Sequence, residues 1–192
     1  PVFFTQQPGV DEGWEGLHFE STLDDNRMSN LVQDGADAGT SSIVVNGSRL
    51  HLDGVSWTGT EKTIMDVMHP QVLVTGCEFP ATPGQDVIRG TALDGADFFS
   101  LQDNTFEASP GGNDIIHFSG GRRPGPIIHV VGNIFKGAAD DCLDLDGADA
   151  HIEGNIFRNV RAGDPAGEGS ANAISASSGS HLTVVRNLFN GI

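Results

Sequence analysis

The sequence of 192 residues predicts an all-β solenoid, in which short repeats stack to share one continuous core. The first indication is an Asn-x-Phe tripeptide that ends a short apolar run four times, at 104–106, 133–135, 155–157 and 187–189. Degenerate copies precede these at 55–57 and 77–79, so that successive aromatic positions lie 22, 27, 29, 22 and 32 residues apart. A unit of this length cannot bury its apolar face alone, and its neighbours must therefore stack on it.

Two sets of short runs, in which apolar and polar residues alternate, provide the predicted strands. The upstream runs are 17–19, 43–45, 65–67, 88–90, 116–118, 143–145 and 174–176. The downstream runs are 49–52, 71–74, 98–101, 127–130, 151–152 and 181–184. Gly, Asn, Asp and Pro fill the stretches between them, as turns require, and no segment has a convincing helical period.

Two or three short strands per repeat with glycine-rich corners resemble the pectin-lyase-like superfamily, which includes pectate lyases, polygalacturonases and alginate epimerases. The resemblance covers the whole chain and implies a single domain, residues 1–192, folded as a right-handed, single-stranded parallel β-helix of about seven rungs. It also implies that the Asn before each aromatic residue adopts the left-handed conformation and bonds to the next copy. The aromatic ring is expected to stack in the core.

The ends of the chain show no amphipathic helix or polar rung that would cap the solenoid. Since open sheet edges need protection, we expect the chain to be a segment of a longer protein, or its ends to be covered by other copies. Cys77 and Cys142 lie at different points of the repeat, so a disulfide between them is not expected.

The composition is that of an acidic protein, and it suits a soluble extracellular protein, a cation-binding protein or a protein from a saline habitat, although acidity also serves solubility alone; among these we expect a secreted or cell-surface protein. The chain has 26 acidic and 10 basic residues, which give a formal net charge of −16. Such a charge repels nucleic acid and anionic membranes. No apolar run has the length of a membrane span, so membrane insertion is not expected either.

The register of the upstream runs predicts which side chains share the outer face. With the apolar residues inward, one outward column contains His18, Val44, Asp66, Arg89, His117, Asp144 and Ser175. A parallel column two residues further on contains Glu20, Asn46, Met68, Thr91, Ser119, Asp146 and Ser177. Because adjacent rungs lie about 4.8 Å apart, four charged or titratable residues should form a contiguous ladder: Asp66, Arg89, His117 and Asp144. Asp146 should lie beside this ladder, with Asp140 and Asp141 at its edge.

The resemblance implies that a polysaccharide lies across this sheet, in a groove walled by the loops on its two sides. The segments 120–125 and 158–172 are the candidate walls, and Arg122 and Arg123 of the first segment, with Asp146, are candidate substrate-binding residues. Lyase chemistry needs a cation that neutralises a uronate carboxylate and a base that removes the neighbouring proton. Arg89 is the candidate cation and His117 the candidate base, with Asp66 and Asp144 completing the catalytic set.

Calcium is the cofactor that the carboxylates of this face suggest. Its candidate ligands are Asp140, Asp141, Asp144 and Asp146. Hydrolysis is the alternative chemistry, since it needs two carboxylates roughly 5 to 9.5 Å apart, and Asp144 with Asp146 or Asp141 could supply them. A third interpretation needs no active site at all, because charges of opposite sign also pair across strands on a solvated sheet.

Two further patterns have competing interpretations. Asp-Gly-Ala-Asp occurs at 34–37, 94–97 and 146–149, and it suits either calcium ligands or simple turns. His151 and His181 fall at nearly equivalent positions in successive rungs, which fits a transition-metal pair or two surface imidazoles.

Two functions from different classes therefore remain open. The first is a secreted domain that binds or acts on a glycan through the Asp66–Arg89–His117–Asp144 face, as a polysaccharide lyase or a glycoside hydrolase. The second is a non-enzymatic structural, adhesin or filament segment that assembles with further copies or flanking rungs through open β-helix ends.

Overall fold

The chain is an all-β parallel β-helix, which confirms the predicted fold class. The computed structural model describes residues 2–5, 7, 9, 13–111, 113–161 and 171–192. Over these ranges it contains 22 strands, and each strand pairs in parallel with the equivalent strand of the next repeat. None of the described segments is a helix that could span a membrane.

Each full rung contributes one strand to each of three parallel sheets. The first sheet contains β2 (Leu17–Glu20), β5 (Ser41–Asn46), β8 (Thr63–Met68), β11 (Ile88–Thr91), β14 (Ile116–Ser119), β17 (Leu143–Asp146) and β20 (Ser175–Ser177). The second sheet contains β3 (Asn26–Ser29), β6 (Arg49–Asp53), β9 (Gln71–Thr75), β12 (Phe98–Gln102), β15 (Ile128–Val131), β18 (Ala150–Glu153) and β21 (Leu182–Val185).

The third sheet was not predicted as a set of strands. It contains β1 (Val2–Phe4), β4 (Leu31–Asp34), β7 (Ser56–Thr58), β10 (Glu78–Phe79), β13 (Thr105–Phe106), β16 (Ile134–Phe135), β19 (Ile156–Arg158) and β22 (Leu188–Asn190). Three of these strands are only two residues long. A run of two residues is too short to show alternation, so only the structure reveals that the Asn-x-Phe tripeptide ends in a strand.

The asparagine of each tripeptide joins its rung to the next. Oδ1 of Asn133 accepts hydrogen bonds from both the backbone N–H and Nδ2 of Asn104, each at 2.9 Å. The pattern repeats between Asn133 and Asn155 and between Asn155 and Asn187, at distances of 2.8 to 3.0 Å. In the degenerate copy, Cys77 takes the position of the asparagine and donates its backbone N–H to Asn104 Oδ1. The predicted amide contacts between copies are therefore confirmed.

The prediction that these asparagines are left-handed is wrong. The left-handed residue is the one before, with φ between 54° and 70°: Gly54, Gly76, Asp103, Gly132, Gly154 and Arg186. This residue makes the sharp corner from the second sheet to the third, which explains why it is most often glycine. The asparagine after the corner is then free to direct its amide along the stack.

The aromatic residues form one stacked column, as predicted, and all of them except the exposed Phe189 are buried inside the helix. Successive ring centroids lie 4.6 to 5.1 Å apart, close to the spacing of the strands, in the order Trp57, Phe79, Phe106, Phe135, Phe157 and Phe189. Apolar residues of the first and second sheets fill the rest of the interior, and the completely buried ones of the first sheet include Val45, Met65, Ile88, Ile116 and Leu143. Cys77 and Cys142 are free and buried, and burial raises the pKa of their thiols to about 11 and about 12.

We predict that Asn133→Ala destabilises the protein by about 2–4 kcal/mol, because it leaves buried donors of Asn104 without an acceptor. The free energy of unfolding in urea measures this loss. Asn190→Ala is the matched control, since Asn190 is exposed. Equal stability losses in the two variants would contradict the structural role of the amide column.

Candidate functional site

The first sheet brings together the four residues of the predicted ladder. Arg89 pairs directly with Asp66 on one side and with His117 on the other, and His117 pairs with Asp144. The four residues therefore lie in adjacent rungs, in the predicted order. Their catalytic role stays a prediction.

Arg89 is held on the outer face by an ion pair. Its guanidinium group lies 2.9 Å from Asp66 Oδ2, and both side chains are 40% exposed. Such an exposed pair contributes at most about 1 kcal/mol to stability. Within the described part of the chain, the buried Nε of Arg89 has no hydrogen-bond partner. The ion pair thus holds the guanidinium group at the partly exposed surface, whereas its unpaired Nε is not accessible to solvent.

His117 lies between two carboxylates that both approach the same ring nitrogen. Its Nδ1 is 3.4 Å from Asp114 Oδ2 and 3.2 Å from Asp144 Oδ2. Carboxylates at Nδ1 favour the tautomer that carries its proton there, which leaves the lone pair on Nε2. The side chain of His117 is 37% exposed. An accessible imidazole in this state is able to accept a proton from a bound molecule.

Asp114 is the functional candidate that the sequence reasoning missed. It precedes β14 and belongs to a third column, three residues before the ladder, which continues through Asp86 and Asp141. Asp86 Oδ1 accepts the backbone N–H of Asp114, and Asp114 Oδ1 accepts that of Asp141, both at 3.2 Å. The signal was available, because in each case an aspartate is followed by two apolar residues and then by Arg89, His117 or Asp144.

The stacking of carboxylates alters their protonation. Burial, together with the carboxylates of Asp144 and Asp140, raises the pKa of Asp114 to about 7 from its ordinary value of 3.8. Burial also raises the pKa of Asp140, with the carboxylate of Asp141 as the second cause. For Asp144 burial again dominates and raises the pKa, although His117 opposes it. The carboxylates around the starts of β14 and β17 therefore favour binding of a proton or of a cation near neutral pH.

Two groups of potential metal ligands share Asp114. One consists of Asp114, Asp140 and Asp141, and the other of Asp114, His117 and Asp144; within each group the ligand atoms lie within 4.8 Å of one another. The structure thus divides the predicted calcium ligands between two groups. Asp141 Oδ1 already accepts two hydrogen bonds from Asn172. Calcium takes six to eight oxygen ligands, and its binding here stays a prediction.

Asp146 lies apart from both groups. It is in register with Ser119 of the preceding rung and accepts a hydrogen bond from Ser177 of the following one. This position agrees with the predicted column beside the ladder. Asp146 does not lie with Asp140 and Asp141, because these two residues precede β17 whereas Asp146 is its last residue, at the other end of the strand.

The two arginines of the predicted groove wall have partners in the following rungs. Arg122 donates to the carbonyl oxygens of Gly147 and Ser178. Arg123 donates to the carbonyl oxygen of His181 and lies 3.4 Å from the buried carboxylate of Asp149. These contacts explain how the segment 120–125 is held, and a role in substrate binding stays a prediction.

The second candidate wall, 158–172, follows β19 and leads into the first sheet. Residues 162–170 of this segment lie outside the described part of the chain. The segment 120–125 follows β14 of the first sheet, whereas the described residues 171–172 precede its strand β20, so these two parts lie at opposite ends of the strands.

The predicted alignment of His151 with His181 is wrong. His151 pairs with His129 in the preceding rung and with Thr183 in the following one. His181 precedes β21 and donates its backbone N–H to Asp149. The rings of His129 and His151 lie 5.9 Å apart, and His151 Nε2 lies 2.7 Å from Glu153 Oε2. The predicted run 151–152 has only two residues, which is too few to fix its register against the run 181–184 of the following rung.

Comparisons with protein-family models, with curated proteins and with solved structures found no match for this chain. The parallel β-helix is therefore shown by the strand pairing alone.

We predict that Asp114→Asn flattens the dependence of stability on pH. Because the pKa of Asp114 is higher in the folded state (about 7, against 3.8), the folded protein binds the extra proton between these values, and raising the pH across this window lowers the free energy of unfolding. At pH 8 the variant should be more stable than the wild type by about 1–2 kcal/mol, discounted for partial exposure. The difference should vanish near pH 4.

Urea unfolding across this pH range measures the effect. Glu61→Gln, which removes one exposed negative charge elsewhere, is the control. A stability profile for Asp114→Asn that runs parallel to that of the wild type would contradict the electrostatic description of the site.

Proposed function

We propose that this chain is a secreted or cell-surface domain that binds a uronate-containing polysaccharide across the first sheet and cleaves it by β-elimination. The surroundings of His117 support this proposal most directly. Its Nδ1 faces two carboxylates, its side chain is accessible, and its direct neighbour in the sheet is the cation Arg89. A base and a carboxylate-binding cation one rung apart are the two groups that the reaction needs.

In the proposed reaction, Arg89 pairs with the uronate carboxylate and stabilises the negative charge that develops beside it. Nε2 of His117 removes the proton from the carbon next to that carboxylate. The electron pair of the broken C–H bond forms a carbon–carbon double bond as the bond to the leaving glycosidic oxygen breaks. This oxygen then takes a proton from the imidazolium or from water. Asp114 and Asp144 stabilise the imidazolium in the meantime.

The remaining predicted residues would bind the polymer on either side of this centre. Asp66 holds Arg89 in place, and Arg122, Arg123 and Asp146 lie towards the following rungs. A calcium ion among the carboxylates at the edge of the sheet would add a second positive charge for uronate groups.

Hydrolysis of a glycosidic bond is the second chemistry that one observation favours. Asp114, with its pKa of about 7, is able to remain protonated near neutral pH, as the general acid of a glycosidase must be. The products separate the two reactions, because only elimination creates a carbon–carbon double bond, which absorbs ultraviolet light.

A non-enzymatic role in assembly through the β-helix ends is the alternative proposal. The apolar side chains of the last described rung are exposed on the second and third sheets: Val184, Val185, Leu188 and Phe189. Phe189 already continues the aromatic column from Phe157. A further rung, from the same polypeptide or from another copy, would bury these side chains. Sedimentation over a wide range of concentration tests assembly between copies.

We predict that His117→Ala lowers the rate of uronate-polymer cleavage by about 10²–10⁴-fold, the usual contribution of a general base. Appearance of the unsaturated product measures the rate, with polymers of different uronates as substrates. His129→Ala, which removes an imidazole from the second sheet, is the control and should retain full activity. Absence of cleavage and of polymer binding by the wild type would refute the proposed function.

A further inference from the structure

The tetrapeptide Asp-Gly-Ala-Asp occurs three times, and the first copy has ordinary structural partners. Asp34 Oδ1 accepts a hydrogen bond of 2.7 Å from the hydroxyl group of Thr58. Asp37 Oδ1 accepts bonds of 3.3 Å from the hydroxyl group of Thr60 and the backbone N–H of Glu61. Both carboxylates thus join this turn to the next rung.

The last copy is used in the same way. Asp149 is almost completely buried and accepts the backbone N–H groups of Arg123 and His181, at 2.9 and 2.7 Å. Asp146 accepts a hydrogen bond from Ser177. The carboxylates of these turns therefore have defined structural roles.

The middle copy is different, because both of its carboxylates face an imidazole. His69 Nδ1 lies 3.4 Å from Asp97 Oδ2 and 3.8 Å from Asp94 Oδ1. The ligand atoms of the three residues all lie within 4.8 Å of one another. Both distances exceed the 2.7–3.2 Å that is usual for an N–H···O hydrogen bond. The three groups converge on a common point without being bonded at optimal distance.

These separations match the edges of a metal coordination polyhedron. Zinc binds imidazole nitrogen and carboxylate oxygen at about 2.0–2.2 Å, so two ligands of a tetrahedral ion lie about 3.4 Å apart. The observed 3.4 and 3.8 Å differ from this value by a few tenths of an ångström at most. The third separation, between the carboxylates of Asp94 and Asp97, is at most 4.8 Å.

The turn holds the carboxylate of Asp97 in place before any ion binds. The backbone N–H of Asp97 donates to the carbonyl oxygen of Asp94 at 2.9 Å, and the N–H of Asp94 donates to Asp97 Oδ2 at 3.1 Å. The side chain of Asp97 is only 14% exposed, whereas that of Asp94 is 77% exposed. His69 directly follows β8, in the preceding rung. The site is therefore built from two successive rungs and is open to solvent on one side.

We propose that His69, Asp94 and Asp97 bind a divalent transition-metal ion of the zinc class, which joins the turns of two adjacent rungs. The imidazole is the reason to choose this class, since calcium and magnesium prefer ligand sets made of oxygen alone. Three protein ligands leave a fourth position for water or for a group of a bound molecule. The site lies at the end of β8 and is distinct from the carboxylates around His117.

Calorimetric titration of the full, chelator-treated chain with zinc tests this proposal. His69→Gln and Asp97→Asn should each weaken one equivalent of binding by at least about tenfold, as loss of a ligand requires. His117→Ala is a necessary comparison, because Asp114, His117 and Asp144 form another group of possible ligands, and it should leave the His69-dependent equivalent intact. His18→Ala controls for the loss of any exposed histidine of the first sheet.

Visible absorption of bound cobalt provides a second measurement, because the d–d bands of this ion change with its ligands and its coordination geometry. A changed or lost spectrum in His69→Gln, with unchanged unfolding of the metal-free variant, would support the site. Zinc binding that is equal in the wild type, His69→Gln and Asp97→Asn would overturn it. The proposal would also be overturned if the chain bound calcium but not zinc, and if His69→Gln left that binding unchanged.

Discussion

A column of buried side-chain amides joins four successive rungs, and the alignment of the whole structure depends on it. Each asparagine from Asn104 to Asn155 donates its backbone N–H and its Nδ2 to Oδ1 of the next one. The donors are buried, so a slip by one residue would leave them without partners at a cost of about 1–3 kcal/mol each. The neighbouring column of aromatic rings follows the same spacing. Together the two columns keep equivalent residues of different repeats beside one another.

This alignment determines the chemistry of the outer face. It places Arg89 beside His117 and stacks Asp86, Asp114 and Asp141 in one column. Burial of Asp114, together with the nearby carboxylates of Asp144 and Asp140 that the core keeps in place, raises the pKa of Asp114 to about 7. Regular stacking thus concentrates charge wherever the same residue type recurs at one position of the repeat. Proton binding and cation binding near His117 follow from the same constraint.

The sequence predicted the fold class and the ladder, because the runs of the first sheet alternate clearly and contain a completely buried residue such as Ile88 or Ile116. It did not predict the third sheet, since strands such as Thr105–Phe106 are too short to alternate. Asp114 was missed although its position, three residues before the ladder, recurs in the sequence at Asp86 and Asp141. The pair of His69 with Asp97 has no such signal, because its proximity depends on the paths of the turns between sheets, and turn lengths vary from repeat to repeat.

Cross-linking of paired cysteines tests the alignment most directly. In Arg89→Cys/His117→Cys the two positions are direct neighbours in adjacent strands, about 4.8 Å apart, which is within the range of a disulfide. In Asp66→Cys/His117→Cys they are two rungs apart, about 9.6 Å, which is too far. Cys77 and Cys142 are buried and should not interfere. We predict rapid oxidation of the first pair alone; equal cross-linking of both pairs, or of the second only, would contradict the alignment.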